Sequence, residues 1–257
     1  MKSLKKELRA LKKKFGDDRR TRILTAAERN KEQQILDDIA AEESEEEFVL
    51  EFTRKGYIRR FSAKAYSRRK NKPTPLSKTL EEFDDVTVQT EVTNPTQEVL
   101  VLTRDGKAFT TRVSDIPIVS RQNKGVPLIS LLPSAVDTPD NVIAQIVLTE
   151  ARLTQQLILV TSKGKVKRLP TEEMTNITGR GLTAVKLKDE DTLTYAFTAN
   201  LGSDLVLASS GGRLLRFRIN EEQLPEMSRT AQGPQGIRLP KTEHLVGCVP
   251  VRSKDTL

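Results

Sequence analysis

The chain has 257 residues, 36% hydrophobic and 30% charged, with one Cys, one His and no Trp. No apolar run approaches the roughly 20 residues that a membrane helix needs, and a lone Cys248 excludes an intrachain disulfide or a CxxC metal site and fits a reducing cytoplasm. The net charge of +8 leaves two readings open, a polyanion partner such as nucleic acid or a merely soluble basic surface.

Residues 1–47 read as helix and linker. Leu4, Leu8, Leu11 and Phe15 recur at spacings of four, three and four, which makes one apolar seam on a Lys-rich helix. A short helix with one seam cannot bury it alone and needs a partner. The segment lacks the apolar core of a signal peptide. FGDDRR breaks the pattern at Gly16. A second helical stretch, about residues 26–41, carries Ile35 and Ile39 and runs into EESEEE, a like-charge linker. These 47 residues hold twelve basic and twelve acidic side chains, so the whole excess of positive charge lies in residues 48–257.

From Phe48 the pattern becomes β. FVLEFTRKGYIRRF, VLVLTRDGKAFTTRV, LILVTSKGKVKRLP and LVLASSGGRLLRFRI each read as an apolar strand, a polar turn and a strand rich in Lys or Arg. Gly56, Gly106, Gly164 and Gly212 mark the turns and suit the positive φ of a tight hairpin. A second landmark follows each hairpin: SRRKNKPTPL (67–76), SRQNKGVPLISL (120–131), NITGRGLTAVKL (176–187) and SRTAQGPQGIRL (228–239). Pro73 stands where the later copies have Gly125, Gly181 and Gly233. Four units of about 50 residues predict a radial or stacked β-array in which each repeat buries its apolar face on the next. The repeats span residues 48–97, 98–149, 150–199 and 200–243. EHLVGCVPV resembles DDVTVQTEV, NVIAQIVL and DTLTYAFT and is expected to open a partial fifth repeat (244–257), with the chain cut at its C-terminus and Met1 inside a longer helix.

No catalytic constellation is apparent. His244 lies in an expected loop with no nucleophile motif near it, and no Walker A loop occurs. Asp84, Asp85, Asp189, Glu190 and Asp191 read as turn residues before strands. Tyr57, Tyr66 and Tyr195 read as packing residues, and Cys248 as a small buried one. The one-sign segment is 52–73, with nine Lys or Arg and no carboxylate. Such a field neutralises phosphates and releases counterions, giving affinity without sequence readout. Interleaved Ser, Thr and Asn can add phosphate hydrogen bonds.

LKKKFGDDRRTRI (11–23) resembles the end of the coiled-coil arm in the breakage–reunion subunit of bacterial type IIA topoisomerases. TRKGYIRR, TRDGKAFTTRVSDIP, GRGLTAVKL and GGRLLRF resemble the C-terminal domain of that subunit, more closely in the gyrase A type than in topoisomerase IV. The resemblance covers nearly the whole chain. It implies a mainly β fold, the β-pinwheel: a propeller-like disc with strands exchanged between blades, preceded by a helical arm. It also implies that the disc binds and bends duplex DNA on a basic rim, in ATP-dependent supercoiling by the holoenzyme. Residues 67–73 match the gyrase A box, Gln-Arg-Arg-Gly-Gly-Lys-Gly, at Arg68, Arg69 and Lys72. Ser67, Lys70, Asn71 and Pro73 depart from it, which keeps the charge and changes the loop, because proline cannot adopt positive φ. The DNA-binding set so implied begins with Arg54, Lys55, Arg59, Arg60, Arg68, Arg69, Lys70 and Lys72. It continues through Arg121 and Lys124, then Lys165, Lys167, Arg168 and Arg180, then Arg213, Arg216 and Arg229. The loop 67–73 is expected to be the strongest contact. The same resemblance places strand cleavage on an upstream tyrosine and magnesium and ATP on other domains, so this chain carries no cofactor of its own. Its implied partners are duplex DNA, the ATPase B subunit, plus the rest of the A subunit in a heterotetramer, with no membrane. A propeller scaffold for protein partners is the alternative reading.

Overall fold

The computed structural model describes residues 2–15, 46–70, 85–119, 123–133, 138–188 and 190–251, with the backbone alone for residues 2, 3 and 68–70. The chain divides into two units, Met1–Glu43 and Ser44–Leu257. In the first, α1 (Lys2–Phe15) ends on Lys12, Lys13 and Lys14, whose charges suit a helix C-terminus. Its seam of Leu4, Leu8, Leu11 and Phe15 is exposed. The expected second helix, 26–41, lies outside the described residues.

The second unit is built from four antiparallel hairpins: β1 (Phe48–Thr53) with β2 (Tyr57–Ser62), β4 (Glu98–Thr103) with β5 (Lys107–Arg112), β8 (Gln156–Thr161) with β9 (Val166–Pro170), and β12 (Asp204–Ser209) with β13 (Leu214–Arg218). Each turn closes through its glycine, whose N–H bonds to the carbonyl three residues back, as from Gly56 to Thr53 at 3.0 Å. The four hairpin glycines take φ values of 81°, 77°, 77° and 78°, the left-handed residue of this turn.

A third strand pairs with the first strand of each hairpin: β3 (Thr87–Thr93) with β1, β7 (Val142–Val147) with β4, β11 (Leu193–Ala199) with β8, and β14 (Leu245–Val251) with β12. The segment expected to open a fifth repeat is therefore the third strand of the fourth sheet. Its sequence likeness to β3, β7 and β11 is real, but all four strands complete the hairpin before them. Asp85 and Asp191 tie these third strands to hairpin turns by accepting from the backbone N–H of Lys55 and Lys163, at 3.0 and 3.1 Å.

The two faces of each sheet serve two neighbours, as the alternation of β-strand side chains allows. Val99 and Val101 of β4 join Leu50, Phe52 and Ile58 in one core cluster, whereas Leu100 and Leu102 join Leu157 and Leu159 of β8 in the next. Ile158 and Val160 of β8 then join Leu205 and Leu207 in a third. Strands buried on both faces read as continuous apolar runs. Cys248 is half-buried against the third cluster, and burial pushes its thiol up to about 12.

The second landmark forms straps. β6 (Val126–Pro127) leaves its own repeat and pairs with β2, and β10 (Leu182–Thr183) pairs with β5. The fourth repeat does the same through a Lys165–Gln235 bridge and a Val166 N–H bond of 3.0 Å to Pro234. Each of the first three sheets thus runs from third strand through hairpin to a strap lent by the next repeat. The third strands of the first two repeats lie side by side, the Gln89 amide of β3 donating to the Gln145 carbonyl of β7 at 3.3 Å, and Glu91 of β3 also meets Arg152, just beyond β7, at 2.8 Å. The straps therefore occupy the opposite edge of the array, its rim.

Residues 63–70, expected to lead into a loop, form a helix, α2 (Ala63–Lys70). AKAYSRRK lacks an apolar period, but local bonds specify the turn. Ser62 Oγ accepts the Ala65 N–H at 3.3 Å, Ser67 Oγ donates to the Ala63 carbonyl at 3.0 Å, and the Tyr66 ring packs on Phe61. A third short helix, α3 (Glu150–Leu153), starts on Thr149, whose side chain accepts from the Arg152 N–H.

Candidate nucleic-acid interface

The four landmark segments, 67–76, 120–131, 176–187 and 228–239, contain no Asp or Glu in a chain that has 35. Each carries Lys or Arg. In the second to fourth they include Arg121 and Lys124, Arg180 and Lys186, and Arg229 and Arg238. Arg121 lies outside the described residues; the other five are exposed. Arg229 meets Glu173 at 3.6 Å across the surface. Arg54 and Lys55, at the tip of the first hairpin, are exposed too. The structure thus brings strap cations of three successive repeats onto one edge.

Other expected contacts behave differently. Counting from each hairpin glycine, the third and fourth residues are Arg59–Arg60, Phe109–Thr110, Lys167–Arg168 and Leu215–Arg216. Lys167 and Arg168 are each 1% exposed, and Arg60 is 9% exposed. Lys167 Nζ donates to the carbonyls of Ala184 at 2.5 Å and Arg229 at 2.6 Å. Arg168 donates from Nε to the Leu224 carbonyl at 2.7 Å, from another nitrogen to Gln156 at 3.3 Å, and from a third to Glu221. Arg60 donates to the Val113 carbonyl at 2.8 Å and lies 4.9 Å from the centre of the Phe48 ring. Arg59 is half-buried, with a bond of 3.1 Å from Nε to the Lys124 carbonyl. Arg60, Lys167 and Arg168, expected as DNA contacts, are thus turned into the protein rather than toward solvent. They are buried cations that bind backbone oxygens of other elements, and the carbonyls of Val113, Arg229 and Leu224 belong to the following repeat. Strand composition could not reveal this, because a basic residue reads the same whether its head meets solvent or a carbonyl.

Burial pulls Lys167 down to about 8, with Glu173 acting the other way. The folded chain then binds fewer protons than the unfolded one between about pH 8 and the ordinary lysine value of 10.5, so the contribution of Lys167 to stability rises across that window. Denaturation of the wild type and Lys167→Met from pH 7 to 10.5 is expected to show the wild type gaining on the variant above pH 8. A constant difference would mean that Nζ is solvated.

The fourth repeat lacks these partners among the described residues. Arg213 pairs with Glu243 at 2.7 Å, and Arg216 and Arg218 both bind Asp204, at 2.6 and 3.3 Å. All three are exposed. Lys165 is half-buried and donates from Nζ to Gln232 of the fourth strap at 2.8 Å. Arg68, Arg69 and Lys70 lie in the last turns of α2, rather than in a loop, and Lys72 lies outside the described residues.

Among the described residues no group of His, Cys, Asp or Glu could hold a metal ion, and no helix is long and apolar enough to cross a membrane. His244 is exposed. Tyr57, Tyr66 and Tyr195 are half-buried packing residues.

The family model described as DNA gyrase C-terminal domain, beta-propeller, matches residues 47–88, 97–141, 155–200 and 203–252, one stretch for each hairpin. The DNA gyrase A protein of Ureaplasma parvum is 30% identical over 236 residues, which is 91% of this chain and 26% of that protein. The chain spans about a quarter of the length of the curated relatives it matches. The C-terminal domain of a DNA topoisomerase IV superposes with a TM-score of 0.68 at 20% identity, covering 81% of this chain and 62% of that one. A DNA gyrase A C-terminal domain superposes at 0.51 and 19% identity, covering 79% and 64%. With all four repeats matched in order, the chain belongs to the DNA gyrase C-terminal domain family of beta-propellers.

Proposed function

We propose that the domain binds duplex DNA along the strap rim, without sequence readout, and bends it, as the DNA-wrapping part of a type IIA topoisomerase of the gyrase A type. The observation that carries this reading is the exclusion of every carboxylate from the four landmark segments, with the described straps set on one edge. Phosphates along a bent duplex would meet cations at each strap in turn, and the DNA path would follow the protein surface. The support for the gyrase type over topoisomerase IV is the family model and the gyrase A sequence relatives. On this reading ATP and magnesium act on other domains, the partners are the ATPase B subunit plus the rest of the A subunit, and the setting is the cytoplasmic nucleoid.

The test is affinity for mixed-sequence duplex against salt concentration. The logarithmic plot is expected to be steep, and each lost phosphate contact should lower its slope by about 1. Arg68→Ala with Arg69→Ala is expected to lower it by up to about 2, and Arg216→Ala with Arg218→Ala by less, since Asp204 already engages both guanidinium groups. A wild-type slope near zero would remove the proposal and favour a scaffold for protein partners.

A further inference from the structure

The three described straps follow one another along the rim, and one side chain touches two of them. Lys167 leaves β9 at the third position after its hairpin glycine. Its Nζ binds the Ala184 carbonyl in the third-repeat strap and the Arg229 carbonyl in the fourth-repeat strap. A backbone bond of 3.3 Å from the Lys186 N–H to the Ala231 carbonyl joins the same two straps. The ammonium is thus a buried spacer between consecutive rim segments, each of which bears exposed cations. At the corresponding place in the second repeat stands Phe109, which has no polar atom to offer the second and third straps.

We infer that Lys167 is a positioning residue: it fixes the spacing of the third and fourth straps and thereby the path of DNA along the rim, without touching DNA. The second half of this inference rests on the rim being the DNA-binding surface; the first half does not. A buried ammonium with two carbonyl partners holds a fixed distance between them, because moving either strap leaves a polar group unsatisfied in the interior. The path of a wrapped duplex depends on the relative placement of successive backbone contacts more than on their number.

Full-length Lys167→Met is the first variant, and Lys167→Gln, with a shorter stem and two amide hydrogens, serves if the first melts under assay conditions. Three quantities are read: the salt slope of duplex affinity, the linking difference left after nicked circles are religated with protein bound, and amide exchange in the straps. The salt slope is expected to stay within about 0.5 of wild type, since no phosphate contact is removed. The linking difference per bound chain is expected to fall at least about twofold. Exchange should quicken at Ala184, Val185, Gly236 and Ile237, whose N–H groups bond to hairpin glycine carbonyls, and not at Leu128, the same bond in the second strap. A slope lower by about 1 would make Lys167 a phosphate ligand and overturn the inference. Unchanged linking with unchanged exchange would overturn it as well. A wild-type slope near zero would sink the DNA reading alone, and the exchange pattern would still decide whether Lys167 spaces the straps.

Discussion

Arg168→Ala is expected to cost about 3–5 kcal/mol of stability, and Arg216→Ala, at the same position of the next hairpin, less than about 1 kcal/mol. The difference lies in what each guanidinium meets. Arg168 is 1% exposed and satisfies the Leu224 carbonyl and Gln156 in the interior. Truncation strands both groups and leaves a void the size of a long side chain. Its ion pair with Glu221 adds little to the figure, because that carboxylate is largely in solvent. Arg216 is 48% exposed at the side chain, and its partner Asp204 keeps Arg218. Urea denaturation of the two variants measures the contrast. Because Arg168 joins the third repeat to the fourth, its variant should also loosen that joint before the one between the first and second repeats. That would appear as early exchange around Met227, whose N–H bonds to the Arg168 carbonyl at 3.0 Å. Equal costs for both variants would show that Arg168 does not hold the joint.

The contrast also marks what a sequence can disclose. The hairpins were legible because a strand, a turn glycine and a second strand are consecutive, and their signal recurs four times. The straps were visible as a landmark but not as strands. A two-residue pairing such as Val126–Pro127 has no periodicity, and its partner lies in another repeat. The same non-locality hid the place of β14, which looks like the start of a unit and is the end of one. Residues 67–70 read as the start of the loop 67–73 because the helix that holds them, 63–70, is fixed by Ser62, Ser67 and the Tyr66–Phe61 contact rather than by an apolar stripe. The strap cations Lys124, Arg180 and Arg229 are exposed, as a basic rim requires. At Arg60, Lys167 and Arg168 the charge lies instead inside the protein, on backbone carbonyls. Charge on a strand reports that a cation is present; only its partners report whether that cation faces a phosphate or a carbonyl.

Gly125→Ala is expected to destabilise the protein by about 2–5 kcal/mol, and Gly212→Ala by no more than about 1 kcal/mol, although both glycines have positive φ. Gly125 takes φ of 87° and Gly212 φ of 78°, so the intrinsic strain of an alanine is similar at each, about 1 kcal/mol. In both, the smaller freedom of alanine in the unfolded chain offsets part of that strain. What separates them is space. A Cβ on Gly125 would run into the Ile58 carbonyl oxygen of β2 and sit 2.7 Å from Cγ of Arg59. The carbonyl is backbone in the middle of a sheet and cannot swing aside. Relief has to come from the strap, which would lift off β2 and weaken both the Ile58–Val126 and Tyr57–Pro127 pairings. Arg59 would lose its Lys124 carbonyl in the same movement. Around Gly212, among the described residues, no heavy atom outside its own neighbours lies within 4 Å of the added carbon. The fourth hairpin has no strap among the described residues, and so nothing for a methyl group to displace. Thermal denaturation of the two variants side by side measures the gap, and amide exchange at Leu128, whose N–H bonds to the Gly56 carbonyl at 2.8 Å, locates it. A Gly125 variant as stable as the Gly212 variant, with Leu128 still protected, would mean that the strap rests on the hairpin more loosely than its close approach to Ile58 requires.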